Sequence, residues 1–266
     1  MKSHCFPFRQ VPHTSKLFLD YLDFSPSVQP FYPRSPRFLE WAKEESGRIR
    51  YPADRRERVA TILERQNRAW GASGTTLKNI ERLRSSACAI VTGQQVGLFG
   101  GPVFSIYKAL SAVKLAEEAR KLEIDAVPIF WLATEDHDFE EVNQIEMPGS
   151  DGKLETLVSG AQSRPDAPVG TISFGPEIAQ AVGRATELLG DSEIAKLLGE
   201  CYRAEQNFGS AFAKLFTHLF SDFGVILLDG SDPELDGIAA PLYSAAIERA
   251  PEVTQSILDR DAKLHA

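Results

Sequence analysis

From residue 36 to residue 86 the apolar positions recur at helical spacing: Phe38, Leu39 and Trp41, then Val59, Ile62 and Leu63, then Leu77, Ile80 and Leu83. Charged residues fill the remaining faces, so the pattern predicts three helices. The pattern then changes. Ala87 to Val91, Ile124 to Leu132 and Val225 to Leu228 are short, continuously apolar runs of the kind that form strands covered on both faces. Helical patterns flank them, Val103 to Leu122 after the first, Phe208 to Phe223 before the third and Pro233 to Ala250 after it. Strand, helix and strand in alternation predict an α/β fold with a parallel sheet wound by right-handed crossovers. Between these units Leu154 to Val158 and Val169 to Phe174 read as a hairpin, and residues 176–205 as two helices, so an insertion is expected to split the sheet. Residues 1–35, rich in proline and aromatic side chains, read as an extended arm with one short helix over Ser15 to Leu22, and residues 251–266 are helical in pattern.

Composition narrows the function classes. The 266-residue chain is 43% hydrophobic, enough for a real core. Its formal net charge of -8 gives no basic field to draw it to nucleic acid or anionic lipid. No apolar h-region opens the chain, and the longest strongly apolar run, Ala126 to Ala133, is far shorter than the roughly 20 residues a membrane span needs. A cytoplasmic protein without membrane or nucleic-acid partners is expected. Cys5, Cys88 and Cys201 have no CxxC spacing, which fits a reducing compartment and gives neither a disulfide framework nor a zinc site; Cys88, inside an apolar run, reads as core.

Open parallel sheets bind ligands beyond the carboxyl ends of their strands, and three polar clusters follow the three runs. The first is Thr92, Gly93, Gln94, Gln95, Gly97, Gly100 and Gly101, feeding Pro102 at the expected first position of a long helix. Free N–H groups at such a helix start suit phosphate or carboxylate, and Lys108, on the same face as Ser105, would add charge. The spacing matches neither common phosphate-loop signature, and a tight turn allowing close helix packing would also use these glycines. The second cluster is Glu135, Asp136, His137 and Asp138. It would orient an ammonium or hydroxyls, act as general acid or base, or hold a divalent ion, although consecutive residues make a poor closed metal site; a solvated acidic loop is the plainer reading. In an extended chain Glu135 and His137 would share one face and Asp136 and Asp138 the other. In the third cluster Asp232 before Pro233 reads as a helix cap, which leaves Asp229 and Ser231 as ligand candidates or loop filler.

The run VTGQQVGLFGGPVFSIYKALSAVKLA, with VPIFWLATEDHDFEEVN and FGVILLDGSDPELDGIAAPLY, resembles the cysteine-adding ligases of bacillithiol biosynthesis. The resemblance implies a Rossmann-like core related to class I synthetases and nucleotidyltransferases, with connecting insertions and a C-terminal coiled coil that supports a homodimer of the full-length form. It implies that L-cysteine is joined to the amine of glucosaminyl-malate. Members of the family are about twice this length, so only their N-terminal half is represented. Class I synthetases bind ATP phosphates through an HxGH motif, and the corresponding GLFGGPVFSIYK has no histidine. A free cysteine carboxylate does not acylate an amine unaided, so ATP, another nucleotide or another donor must activate it. On this basis Thr92, Gly93, Gln94, Gln95, Gly97, Gly100, Gly101, Ser105, Lys108, Asp229 and Ser231 are expected to bind nucleotide or substrate, and Glu135, Asp136, His137 and Asp138 to recognise the amine or move protons, with no metal site. A nucleotidyl-transferring enzyme of the same fold and a non-catalytic ligand-binding fragment are the alternatives. The expected organisation is an N-terminal arm with helices (1–86), the first half of the core (87–147), an inserted connecting segment (148–206) and the core continued (207–266).

Overall fold

The three apolar runs pair as one parallel sheet. In the computed structural model, which describes residues 5–164 and 166–264, strand β1 (Cys88–Gln95) lies beside β2 (Ala126–Ala133), and β2 beside β5 (Ile226–Asp229), giving the order β1–β2–β5. The register runs from Cys88 opposite Ala126 to Gln95 opposite Ala133, and from Ile129 opposite Ile226 to Leu132 opposite Asp229. Helix α5 (Val103–Lys121) carries the chain from β1 to β2, and α9 (Phe208–Leu219) leads into β5. This is the Rossmann-like α/β arrangement the alternating pattern predicts.

Residues paired across parallel strands point to the same face. On one face Phe130, Leu132 and Leu227 pack with Ala109 and Val113 of α5 and with Phe208, Phe212 and Phe216 of α9. On the other, Val127, Ile129, Ile226 and Leu228 pack against Ala60 and Leu63 of α3 (Ala53–Ala69) and Ile80 and Leu83 of α4 (Gly74–Ser85). Buried amides tie these helices to the strand: Asn67 accepts from the Leu227 N–H at 3.0 Å and donates to its carbonyl at 2.7 Å, while Gln66 does the same for Asp229 at 3.1 Å each way. Two further helices, α1 (Lys16–Leu22), capped by Ser15, and α2 (Phe38–Arg48), precede α3, so the three helices predicted between residues 36 and 86 are present.

Three expectations need correction. Thr92 to Gln95 are not loop: they complete β1, pairing with Phe130 to Ala133. Gly93 permits this, because a Cβ there would stand 2.6 Å from the Trp131 carbonyl oxygen. The hairpin is formed by β3 (Gln144–Pro148) and β4 (Leu154–Val158), whose antiparallel register sets Gln144 opposite Val158, whereas Val169–Thr171 is a single 3-10 turn. The alternation of Ile145 and Met147 with Gln144 and Glu146 is the strand signal passed over there. Pro102 is the cap of α5, one residue before its first turn. A short helix, α6 (Phe139–Val142), separates β2 from the hairpin, and α7 (Ile178–Leu189) and α8 (Glu193–Cys201) are the two helices expected between residues 176 and 205. After β5, α10 (Pro233–Glu248) starts at Asp232, whose side chain accepts from the Glu234 N–H with Pro233 in the first turn, and α11 (Ala250–Leu264) follows. No described helix is long and apolar enough to cross a membrane.

Candidate functional site

The carboxyl ends of all three strands meet through side chains. Gln95, the last residue of β1, accepts from Gln94 Nε2 at 2.6 Å and donates through its own Nε2 to Glu141 Oε2 at 3.0 Å. It also hydrogen-bonds the Asp136 carboxylate beyond β2. Thr134, just past β2, gives its hydroxyl to Asp229 Oδ1 at the end of β5. Glu135 lies over Gly230, where a Cβ would fall 2.2 Å from Oε1. The first cluster is thereby joined to the second, and the second to the third.

A cavity of ≈ 360 Å³ opens at the β1 end, lined by Gln94, Gln95, Gly97, Gly101, Glu141 and Glu146 among others. Its floor is the glycine loop. Phe99, Gly100 and Gly101 all have positive φ (52°, 96° and 67°), and Gly97 packs against Gly101 so closely that a Cβ on it would stand 2.8 Å from the Gly101 Cα. The loop is anchored from behind: the Gly100 N–H donates to the Tyr202 hydroxyl at 3.1 Å, and the Phe99 ring meets the Tyr202 ring edge-on with centroids 4.9 Å apart. Burial pushes the Tyr202 phenol well above its usual range, so it stays neutral. Gly100 therefore faces the core, its missing Cβ 3.2 Å from Leu215.

Helix α5 starts at the lip of this loop with no side chain capping it. Ser105 in its first turn is fully buried, and its hydroxyl has no hydrogen-bond partner; a Cβ on Gly101 would sit 3.4 Å from that oxygen. Buried hydroxyls are rarely left unpaired. An uncapped helix start with an orphan hydroxyl behind a glycine fits an anionic group. Lys108 is exposed and engaged, donating to the Gly93 carbonyl at 3.1 Å and to Gln94 Oε1. Thr92 is half-buried within β1, outside the cavity lining.

In the second cluster the extended geometry expected for residues 135–138 does not form, because β2 ends at Ala133 and the chain turns at once. The Asp138 N–H donates to Asp136 Oδ1 at 3.0 Å, and this bond, with that from Gln95, holds the Asp136 carboxyl below its usual range despite some burial. Asp138 caps α6 by accepting from the Glu141 N–H. His137 is exposed. In the third, Asp229 Oδ1 accepts from Thr134, from the Ser231 N–H at 3.0 Å and from the Ser231 hydroxyl at 2.7 Å, so Asp229 and Ser231 serve one another and the joint between β2 and β5. Asp232 caps α10; burial raises its carboxyl, but hydrogen bonds from Gln66, the Glu234 N–H and Arg65 outweigh this and hold it low. Among the described residues no group of three or more His, Cys, Asp or Glu side chains could hold a metal ion. Burial raises the thiol of Cys88, and that of Cys201 to about 11, so neither is a ready thiolate.

Sequence reasoning passed over Glu141, Gln144 and Glu146, which line the cavity. Glu141 stands three residues after Asp138, a cap-and-first-turn spacing that places both on one short helix and was available as a signal.

The comparisons with known proteins agree with one another. A family model described as "Bacillithiol biosynthesis BshC, N-terminal Rossmann-like domain" matches residues 1–266. A protein of Koribacter versatilis named "Putative cysteine ligase BshC" is 42% identical over 260 residues, 98% of this chain and 49% of that protein. Proteins of the same name from Solibacter usitatus and Geobacillus thermodenitrificans are 36% and 29% identical over 98% and 96% of the chain. The chain spans about half the length of these relatives.

Proposed function

As the chain belongs to the bacillithiol-biosynthesis BshC family, matching its N-terminal Rossmann-like domain, we propose that it forms the half of a cytoplasmic cysteine ligase in which L-cysteine meets the amine of glucosaminyl-malate. One observation carries this reading: a single cleft sets Glu141 and Glu146, with Asp136 behind Gln95, across from the uncapped start of α5 and its glycine loop. Amide formation needs both walls. An amine arrives at neutral pH as an ammonium and must lose a proton before it attacks; carboxylates recognise the cation, and a positioned base takes the proton. Glu141 would serve the first task from the lining, and His137, next to Asp136 in the chain, would serve the second.

The cysteine carboxylate must in turn shed an oxygen. Gly97, Gly101 and Ser105 would hold the anionic end of an activating nucleotide at the helix start. That cosubstrate, ATP or another, supplies the leaving group. Gln94 and Gln95, locked to each other and to Lys108 and Glu141, fix the distance between the two walls.

The test is to incubate a protein of relative-like length, this chain fused to the second half of the Koribacter versatilis protein, with glucosaminyl-malate, cysteine and ATP, and to follow thiol and nucleotide products by mass spectrometry. A cysteine adduct whose formation falls at least tenfold with Glu141→Gln is expected. Nucleotide turnover that needs no cysteine would overturn the reading in favour of nucleotidyl transfer.

A further inference from the structure

We propose that the indole of Trp131, at the carboxyl end of β2, is the floor of a sugar subsite, on which a pyranose ring lies with its hydroxyls turned to the Glu135 carboxylate. Of the three tryptophans, all among the described residues, Trp131 alone is exposed, at 41%. Val127 and Ile129, the preceding positions on the same face of β2, are buried under α3 and α4, and Trp131 stands outside that cluster.

Two glycines make room for the ring. Gly93 pairs with Trp131 from β1, where a Cβ would stand 2.9 Å from the Trp131 Cβ, and Gly230 lies just past β5, where a Cβ would stand 2.7 Å from the ring carbon Cζ2. Glycine in ordered backbone costs conformational entropy, and a ring left in water gains little burial in return. An indole held in place and still exposed, with backbone alone on both sides, suits a ligand that lies flat on it.

The chemistry beside the ring selects the ligand. A Cβ on Gly230 would also strike Glu135 Oε1, so this carboxylate stands next to the Cζ2 edge of the indole. A pyranose has a face of polarised C–H groups, which rest against the negative face of an aromatic ring. Its rim of hydroxyls donates to a carboxylate through charge-assisted bonds. The surrounding charge is negative, since residues 135–141 carry five carboxylates and no lysine or arginine. That disfavours a nucleobase, whose phosphates would follow it into the same field, and favours a sugar that is neutral or bears an ammonium. Gln95, two residues after Gly93 and on the same face of β1, donates to Glu141 at 3.0 Å. An amino substituent on the bound ring would thus be directed past Gln95 to Glu141. The subsite deepens the ligase reading and rests on it for the identity of the sugar, an amino sugar.

Nuclear magnetic resonance of the 266-residue chain with isotopically labelled tryptophan tests the subsite without turnover, so its failure and that of the ligase reading are told apart. The Trp131 indole N–H resonance, identified by its loss in Trp131→Phe, is expected to move on titration with methyl α-glucosaminide. Those of Trp70 and of Trp41, whose N–H donates to the Ser35 carbonyl, should stay in place. Trp131→Leu and Glu135→Gln, followed through the resonances of the glycoside, should each weaken its binding at least about fivefold. In the fusion of this chain to the second half of the Koribacter versatilis protein, Trp131→Leu should raise KM for glucosaminyl-malate more than it lowers kcat. A Trp131 resonance that ignores the glycoside, or that moves further with AMP than with it, would overturn the proposal, the second result giving the ring to a nucleobase. So would a fusion in which the second half covers the indole and the glycoside no longer moves it. An inactive fusion that keeps the glycoside shift would support the subsite and count against the ligase reading.

Discussion

The side-chain amide of Gln95 donates to Glu141 at 3.0 Å and reaches the Asp136 carboxylate, so the end of β1 and the turn beyond β2 are held at a fixed separation by one residue. Replacing it by Met keeps the volume and removes every bond. Because Glu141 is exposed and Asp136 keeps the Asp138 N–H, losing these bonds should cost about 1 kcal/mol of stability or less, measured by urea unfolding. Binding of glucosaminyl-malate, followed by isothermal titration calorimetry on the fusion, should weaken at least tenfold. A binding constant unchanged in a folded variant would remove Gln95 from the site.

Acid titration isolates Asp136. Its carboxyl lies below the usual range because the Asp138 N–H and Gln95 favour the anion, so its contribution to stability is fully present above the unfolded value of about 4 and is lost as pH falls through the folded value. Asp136→Asn should therefore flatten the stability–pH curve below about pH 4 and leave its shape near pH 7 unchanged. Equal slopes in both proteins would show that the carboxylate gains nothing from its donors.

Ser105 offers a test by sign. Its buried hydroxyl has no partner, so Ser105→Ala should stabilise the ligand-free chain by about 1 kcal/mol. If the hydroxyl serves an anion, the same variant should lose most of the thermal shift that ATP or inorganic phosphate gives the parent. A variant less stable than the parent would mean that the oxygen is satisfied by water and that the cradle is not built for a ligand.

The glycines of the loop divide by what stands behind them. Gly100 has φ 96° and faces Leu215 at 3.2 Å, so Gly100→Ala should cost about 1–3 kcal/mol through strain. Gly97 lines the cleft with Gly101 against it, and Gly97→Ala should weaken ligand binding more than it lowers the melting temperature. Gly74, in the first turn of α4 with nothing within 4 Å, serves as control: Gly74→Ala should be neutral or stabilising. Chemical denaturation and calorimetry on the three variants settle the division.

His137 is exposed while its neighbours Asp136 and Asp138 are bonded. His137→Asn should leave the fold untouched and cut turnover of the fusion by about 10²-fold if the imidazole moves the proton. Asp138→Ala, which uncaps α6, should instead cost about 1 kcal/mol of stability. Turnover near that of the parent would confine the acid–base role to the carboxylates.

The sheet and its helices were readable because continuous apolar runs and helical spacing are local signals, and Ala126 to Ala133 or Phe208 to Leu219 state them without ambiguity. The end of β1 was not, because Thr92 to Gln95 are polar and contain a glycine; what makes them strand is Trp131 across the ladder, a contact between residues far apart in sequence. The same holds for the third cluster. Asp229 and Ser231 read as ligand candidates or loop filler, and only the fold shows that Thr134 and Ser231 both donate to Asp229 Oδ1. Glu141 is harder to read: its spacing from Asp138 signals a helix cap and first turn, but in an acidic stretch that spacing does not tell a cleft residue from a solvated one.

Tyr202 lies at the end of α8, in the segment between the hairpin and α9, and holds the glycine loop by accepting a hydrogen bond from the Gly100 N–H and by an edge-on ring contact with Phe99. The lining of the cleft can therefore be retuned from a distance. A substitution on the buried side of α7 or α8 that tilts this phenol by a fraction of an ångström would reposition Gly100 without altering a residue of the β1–α5 loop. Divergence within that segment would then act as a tuning peg for substrate preference, and homologues with identical glycine loops could differ in selectivity because their pegs are turned differently.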